Sequence, residues 1–165
     1  MVRASEESLV STLLPAAAGL SLAAGLFHSL VISEHLAEWW GYGSFFVIIS
    51  LAQVLYPIAL DRWPRRCLFL LGIVGNLVSL LLWLVSRILG IPFVGPDAGQ
   101  VEAVGPLELL VKFLELDLIS VLVWLVYVWP RRAKTFWPLP PVLAFGVGGY
   151  QALPAWETPR NKRPW

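Results

Sequence analysis

The feature that most constrains this chain is a series of long apolar runs parted by short polar connections. A helix needs about 20 largely apolar residues to cross hydrocarbon, where an unsatisfied backbone N–H or C=O is costly. Four segments meet that requirement: residues 9–33, 43–60, 67–90 and 107–129. The second is short and depends on Trp40 and Tyr42 to extend it into the interface. A further apolar stretch at 136–153 contains Pro138, Pro140, Pro141, Gly146, Gly148 and Gly149, which oppose a helix. The expected fold is an all-α membrane protein with four transmembrane helices in a bundle over residues 1–134. A Pro/Gly/Trp-rich C-terminal segment follows at 135–165, read as interfacial, re-entrant or a weak fifth span.

Composition agrees. Hydrophobic residues make up 58% and charged residues 14%, against about 45–50% and about 25% in soluble domains. Twelve basic residues against 11 acidic ones leave nucleic-acid binding without support. The single cysteine, Cys67, excludes an internal disulfide and a CxxC motif, and is expected to be a small buried hydrophobe. At the N-terminus Arg3 is mixed with Glu6 and Glu7, and no clear small-residue cleavage site follows. The first run is therefore expected to remain as a span and not to be a cleaved signal.

Charge position sets the expected orientation. The connection at 61–66 holds Arg62, Arg65 and Arg66, and the stretch after the fourth run holds Arg131, Arg132 and Lys134. The other two connections carry Glu34, His35, Glu38, Asp97 and Glu102, with no Lys or Arg. The positive-inside rule then gives a multi-pass protein of the cell (inner) membrane with both termini cytoplasmic.

Ionisable residues inside spans are the best functional pointers, because each needs a partner to be held in lipid. The fourth run carries Glu108, Lys112, Glu115 and Asp117; the first three follow i, i+4, i+7 spacing and line one helix face. Arg87 and Asn76 stand on the third run, His28 on the first and Gln53 on the second. This intramembrane polar cluster falls in the outer half, and Arg87 is expected to pair with Glu115 or Glu108. It reads as interhelical pairs fixing the bundle or as a polar pocket for a ligand, ion or proton. In the outer loops His35 and Glu38 share a helical face, and with Asp97 and Glu102 they form a candidate metal site of low specificity. No cofactor is evident from the sequence.

Several stretches carry a resemblance: Glu34-His35-Leu36-Ala37-Glu38-Trp39-Trp40-Gly41-Tyr42-Gly43-Ser44-Phe45-Phe46, Gly75-Asn76, Trp83-Leu84-Val85-Ser86-Arg87, and Gly90-Ile91-Pro92-Phe93 with Gly95-Pro96, Ala98-Gly99 and Glu102. In these the chain resembles an uncharacterised group of small bacterial, actinobacterial-type membrane proteins with four spans. The group's loop reads Gly-Pro-His-Ala-Gly-Glu, whereas this chain has Asp97 in place of the His and Gln100 in place of the Glu. Those departures weaken any His-rich metal site, and the resemblance implies a fold but no activity.

No HExxH, Gly-rich phosphate loop or recognisable Ser/His/Asp context is present. The function expected is that of an accessory or structural subunit of a larger membrane complex, in contact with the lipid bilayer and with other membrane-protein subunits. The alternative is a stand-alone membrane protein whose outer-half polar pocket binds a small ligand, ion or metal.

Overall fold

A computed structural model describes the chain from residue 2 to residue 129, with side chains from residue 8 onward. Five helices follow in order: α1 (Val2–Leu30), α2 (Ile32–Glu38), α3 (Trp40–Arg62), α4 (Arg66–Ile88) and α5 (Pro106–Val128). The described residues form no strand. The segment 135–165, with the basic stretch before it, lies outside the described residues.

Three helices, over Ser8–Leu30, Trp40–Arg62 and Arg66–Ile88, are long and apolar enough to cross a membrane. α5 matches α3 and α4 in length at 23 residues. By composition, however, it falls short of the fourth span expected, because Glu108, Lys112, Glu115 and Asp117 interrupt its apolar character. The connection between the first two runs also departs from a plain loop. Only Val31 and Trp39 break the helices there, since residues 31–39 contain no Gly or Pro to stop them.

The other boundaries follow from local chemistry. α3 ends at Arg62 because Pro64 disfavours helical backbone at Trp63, whose N–H closes the last turn on Ala59 O at 2.9 Å. α4 ends before Gly90, which has φ +70°; a Cβ there would come within 2.5 Å of the Gly99 backbone. α5 opens with Pro106 in the first turn, where a missing N–H costs nothing, and the Glu108 carboxylate reaches back to Gly105 N at 3.5 Å.

The buried positions repeat at alternating spacings of three and four, the seam spacing of packed helices. α1 buries Leu14, Ala17, Ser21, Ala24 and His28, and α5 buries Val111, Glu115, Leu118, Leu122 and Leu125. α1 packs against both α3 and α5, α4 packs against α5, and α2 lies on α3. Small residues allow close approach at particular places. A Cβ on Gly25 would meet Val54 Cγ2 at 2.9 Å, and one on Gly72 would meet Tyr56 Oη at 2.2 Å. Gly19 and Gly75 face open space, so they make no such contact. Cys67 is exposed on the outer face of α4, contrary to the buried position expected for it. Its neighbour Phe69 takes the inward position instead.

The bundle has two ends of opposite character. At the end bearing the tight α3–α4 turn, Leu14, Ala17, Leu60, Phe69, Leu118, Leu122 and Leu125 form a closed apolar core. Toward the α2 end the same seams turn polar: Ser21 and His28 on α1, Ser50 and Gln53 on α3, Asn76, Ser79 and Ser86 on α4, Lys112 and Glu115 on α5. Outward faces are rich in large apolar side chains, among them Leu26, Ile48, Leu71, Leu81 and Phe113. That is the reverse of a water-soluble bundle and suits contact with lipid.

Candidate functional site: a polar cluster beneath an aromatic cavity

Glu115 is the centre of the polar half and is 0% exposed. Its Oε1 accepts from His28 Nε2 at 3.0 Å, Ser79 Oγ at 2.9 Å and Gln53 Nε2 at 3.2 Å. Its Oε2 accepts from Lys112 Nζ at 2.6 Å. These partners come from α1, α3, α4 and α5, so one carboxylate ties together all four long helices. A buried charge is tolerable when it is paired and its remaining lone pairs are filled, and Glu115 meets both conditions.

The cluster extends beyond that carboxylate. Lys112 Nζ also donates to Ser79 Oγ at 3.0 Å, so the serine hydroxyl accepts from the ammonium while donating to Glu115. Gln53 Nε2 donates to Asn76 Oδ1 at 3.2 Å, and Asn76 Nδ2 donates to Gly72 O at 2.8 Å. The Gln53 amide has one sensible orientation: both groups facing its nitrogen are acceptors, which leaves Oε1 without a partner among the described residues.

Ser21 supports this layer through the backbone. Pro57 has no N–H to give to the carbonyl four residues earlier, which is that of Gln53. Ser21 Oγ on α1 donates to Gln53 O at 2.8 Å instead. A buried carbonyl orphaned by proline is therefore satisfied from the next helix.

A second ionic group sits closer to the α2 end. Arg87 holds Glu108 through Nη2–Oε1 at 2.6 Å and Nε–Oε2 at 3.2 Å, and it also pairs with Glu102. Trp83 Nε1 donates to Glu108 Oε2 at 3.3 Å. Of the two partners expected for Arg87, the structure thus gives it Glu108; Glu115 belongs to Lys112 and His28.

Between these groups lies a cavity of about 340 Å³. His28, Ser79 and Lys112 line its deep part, Arg87, Glu102 and Glu108 its ionic side, and Phe27, Trp39, Phe45, Phe46 and Trp83 its aromatic walls. Phe46 stacks on the His35 ring at a centroid distance of 4.2 Å and 6° between planes, and it also meets Phe45 edge-on at 5.4 Å and His28 at 5.7 Å. Tyr42 Oη donates to Val94 O at 2.9 Å, fastening the head of α3 to the loop after α4. Gly95, at φ +80°, passes so close that a Cβ would meet that hydroxyl at 2.3 Å.

The sequence-predicted residues divide accordingly. His28, Gln53, Asn76, Lys112 and Glu115 come together in the deep cluster, and Arg87 with Glu108 forms the second group. Asp117 belongs to neither. It is exposed on the outward face of α5, because two residues along a helix turn it about 200° from Glu115. The candidate metal quartet does not assemble. His35 Nδ1 and Glu38 bond to each other at 2.8 Å, and Glu102 is taken by Arg87. No group of three or more His, Cys, Asp or Glu able to hold a metal ion occurs among the described residues.

Sequence reasoning missed Ser79 and Ser21. Ser79 lies three residues after Asn76, on the same helical face, which is the signal that could have found it. The signal for Ser21 was Pro57, whose missing donor requires a substitute near Gln53. Compared with known protein families, curated proteins and solved structures, the chain has no match.

Proposed function

We propose that this chain is an integral protein of a bacterial cell membrane, with α1, α3, α4 and α5 all spanning, both termini cytoplasmic, and a ligand-binding cavity in its outer half. The observation that carries the binding reading is the roughly 340 Å³ cavity itself, with aromatic walls and a polar floor. Ligand sites are characteristically concave and mostly apolar, with a few polar groups that fix orientation. Conduction is a poorer fit, since the apolar core around Phe69, Leu118 and Leu122 blocks the inner half. Spanning by α5 is supported by its length and by the inward or paired placement of Glu108, Lys112 and Glu115. The basic turn at Arg62, Arg65 and Arg66 supports the orientation.

A second reading, an accessory subunit of a larger membrane complex, is favoured by one observation. Asp117 stands exposed on α5 beside outward-facing Phe113, Trp124 and Tyr127. A carboxylate facing hydrocarbon is costly, so another membrane protein covering that face would relieve it.

One experiment separates the two. Full-length protein extracted in mild detergent and measured by native mass spectrometry should carry a small molecule, and Ser86→Phe, which fills the cavity, should lose it. Isolation only in fixed ratio with another membrane protein, with no bound molecule, would overturn the binding reading in favour of the subunit.

A further inference from the structure

The arrangement of α3 and α4 bears on what the cavity takes and from where. The two helices leave a tight turn at Trp63–Arg65 and meet little along their length. Near that turn Tyr56 Oη donates to Leu68 O at 2.9 Å and packs on Gly72; one level higher Gln53 bonds Asn76. Beyond these points α3 and α4 share no hydrogen bond, and the next link is the strap from Tyr42 to Val94. Tyr42 and Gln53 are separated by 11 residues of α3, so the gap is roughly 16 Å tall. Phe45 and Leu82 border it, and both line the cavity while remaining exposed. The gap faces sideways, where the proposed topology puts lipid.

The lining specifies the chemistry of an occupant. Each Lys and Arg facing the cavity already holds a carboxylate: Lys112 has Glu115, and Arg87 has Glu102 and Glu108. No cavity-facing cation among the described residues is left to ask for an anionic ligand. The one surplus negative charge, from two carboxylates on Arg87, rests on the partly exposed Glu102 and Glu108 where water can screen it, and bringing a charged ligand out of water would be costly. One donor is left over. An ammonium has three protons, and Lys112 Nζ directs two of them to Glu115 Oε2 and Ser79 Oγ. The third has no acceptor among the described residues, and Lys112 lines the cavity. The aromatic walls favour a planar ring. As to size, a dry cavity of about 150 Å³ in another protein holds benzene, so about 340 Å³ has room for a fused two-ring system.

Resting on the binding reading above, we infer that the cavity takes an uncharged, lipophilic ring compound bearing a carbonyl oxygen. The compound reaches the cavity from the bilayer between α3 and α4, and its oxygen accepts from Lys112 Nζ. A matched pair of probes tests this on purified full-length protein: 2-methyl-1,4-naphthoquinone and 2-methylnaphthalene, which share a skeleton and differ in the oxygens. Binding is read by displacement dialysis and by quenching of the cavity tryptophans Trp39 and Trp83. The quinone should bind saturably, and the hydrocarbon roughly 10- to 100-fold more weakly, the range for a hydrogen bond from a charged donor. Ser86→Phe should abolish saturable binding of both. Among the described residues Ser86 Oγ bonds only the Trp83 carbonyl of its own helix, so its loss leaves the polar cluster intact. Equal affinity for the two probes would overturn the carbonyl requirement while leaving the cavity a binding site. Saturable binding that persists in folded Ser86→Phe would place the ligand elsewhere and overturn the inference. Saturable binding of neither probe would overturn the inference and the binding reading together.

Discussion

Arg87 shows what residue identity says and what it leaves out. Its need for a carboxylate partner was legible, because a guanidinium in an apolar run has few alternatives. Which carboxylate depends on depth. Arg87 is the second-last residue of α4 and Glu108 the third residue of α5, so antiparallel packing puts them at one level, whereas Glu115 lies two turns deeper. Arg87→Ala strands Glu108 and Glu102, which are partly exposed. The cost should be about 1–3 kcal/mol, between the limits for surface and buried pairs. In detergent unfolding, Arg87→Ala with Glu108→Ala should cost less than the sum of the singles, while Arg87→Ala with Glu115→Ala should add. Coupling to Glu115 instead of Glu108 would refute the assignment.

At the level of elements, the seams explain why helices were easy to find and their facing surfaces were not. Runs of Leu, Val and Ile mark length without marking a side, since lipid and core are both apolar. The polar positions break that degeneracy: His28, Gln53, Asn76 and Glu115 each mark an inward face, and the seams run through them. Asp117 resists the rule because its face is known only from the packing of α5 against α1 and α4. The link between Ser21 and the carbonyl left free by Pro57 gives a prediction at this scale. Ser21→Ala should cost about 1–3 kcal/mol by stranding a buried acceptor. In a Pro57→Ala background, where residue 57 regains an N–H for Gln53 O, the same substitution should cost markedly less. Thermal unfolding of the four variants measures the difference, and equal costs in both backgrounds would show that the serine does not replace the proline's missing donor.

For the whole molecule, the division into an apolar half and a polar half could be anticipated from where the ionisable residues fall along each run; the cavity could not. It arises from the divergence of α3 and α4 and the roof made by α2, neither of which has a local sequence signal. The proposed topology makes its own prediction. With Cys67 replaced by serine, a cysteine at Ala98 should react with an impermeant maleimide on intact cells, and one at Pro64 only after permeabilisation. The reverse pattern would invert the protein in the membrane. The sharing of Glu115 among four helices has a further consequence, for biosynthesis. α5, the most highly charged of the long helices, is the last of them to leave the ribosome. By then His28, Gln53 and Ser79 have already been made on the helices before it, so Lys112 and Glu115 can be received by a prepared polar face. In the proposed topology, an α5 encoded first would have to wait in lipid with both charges uncovered.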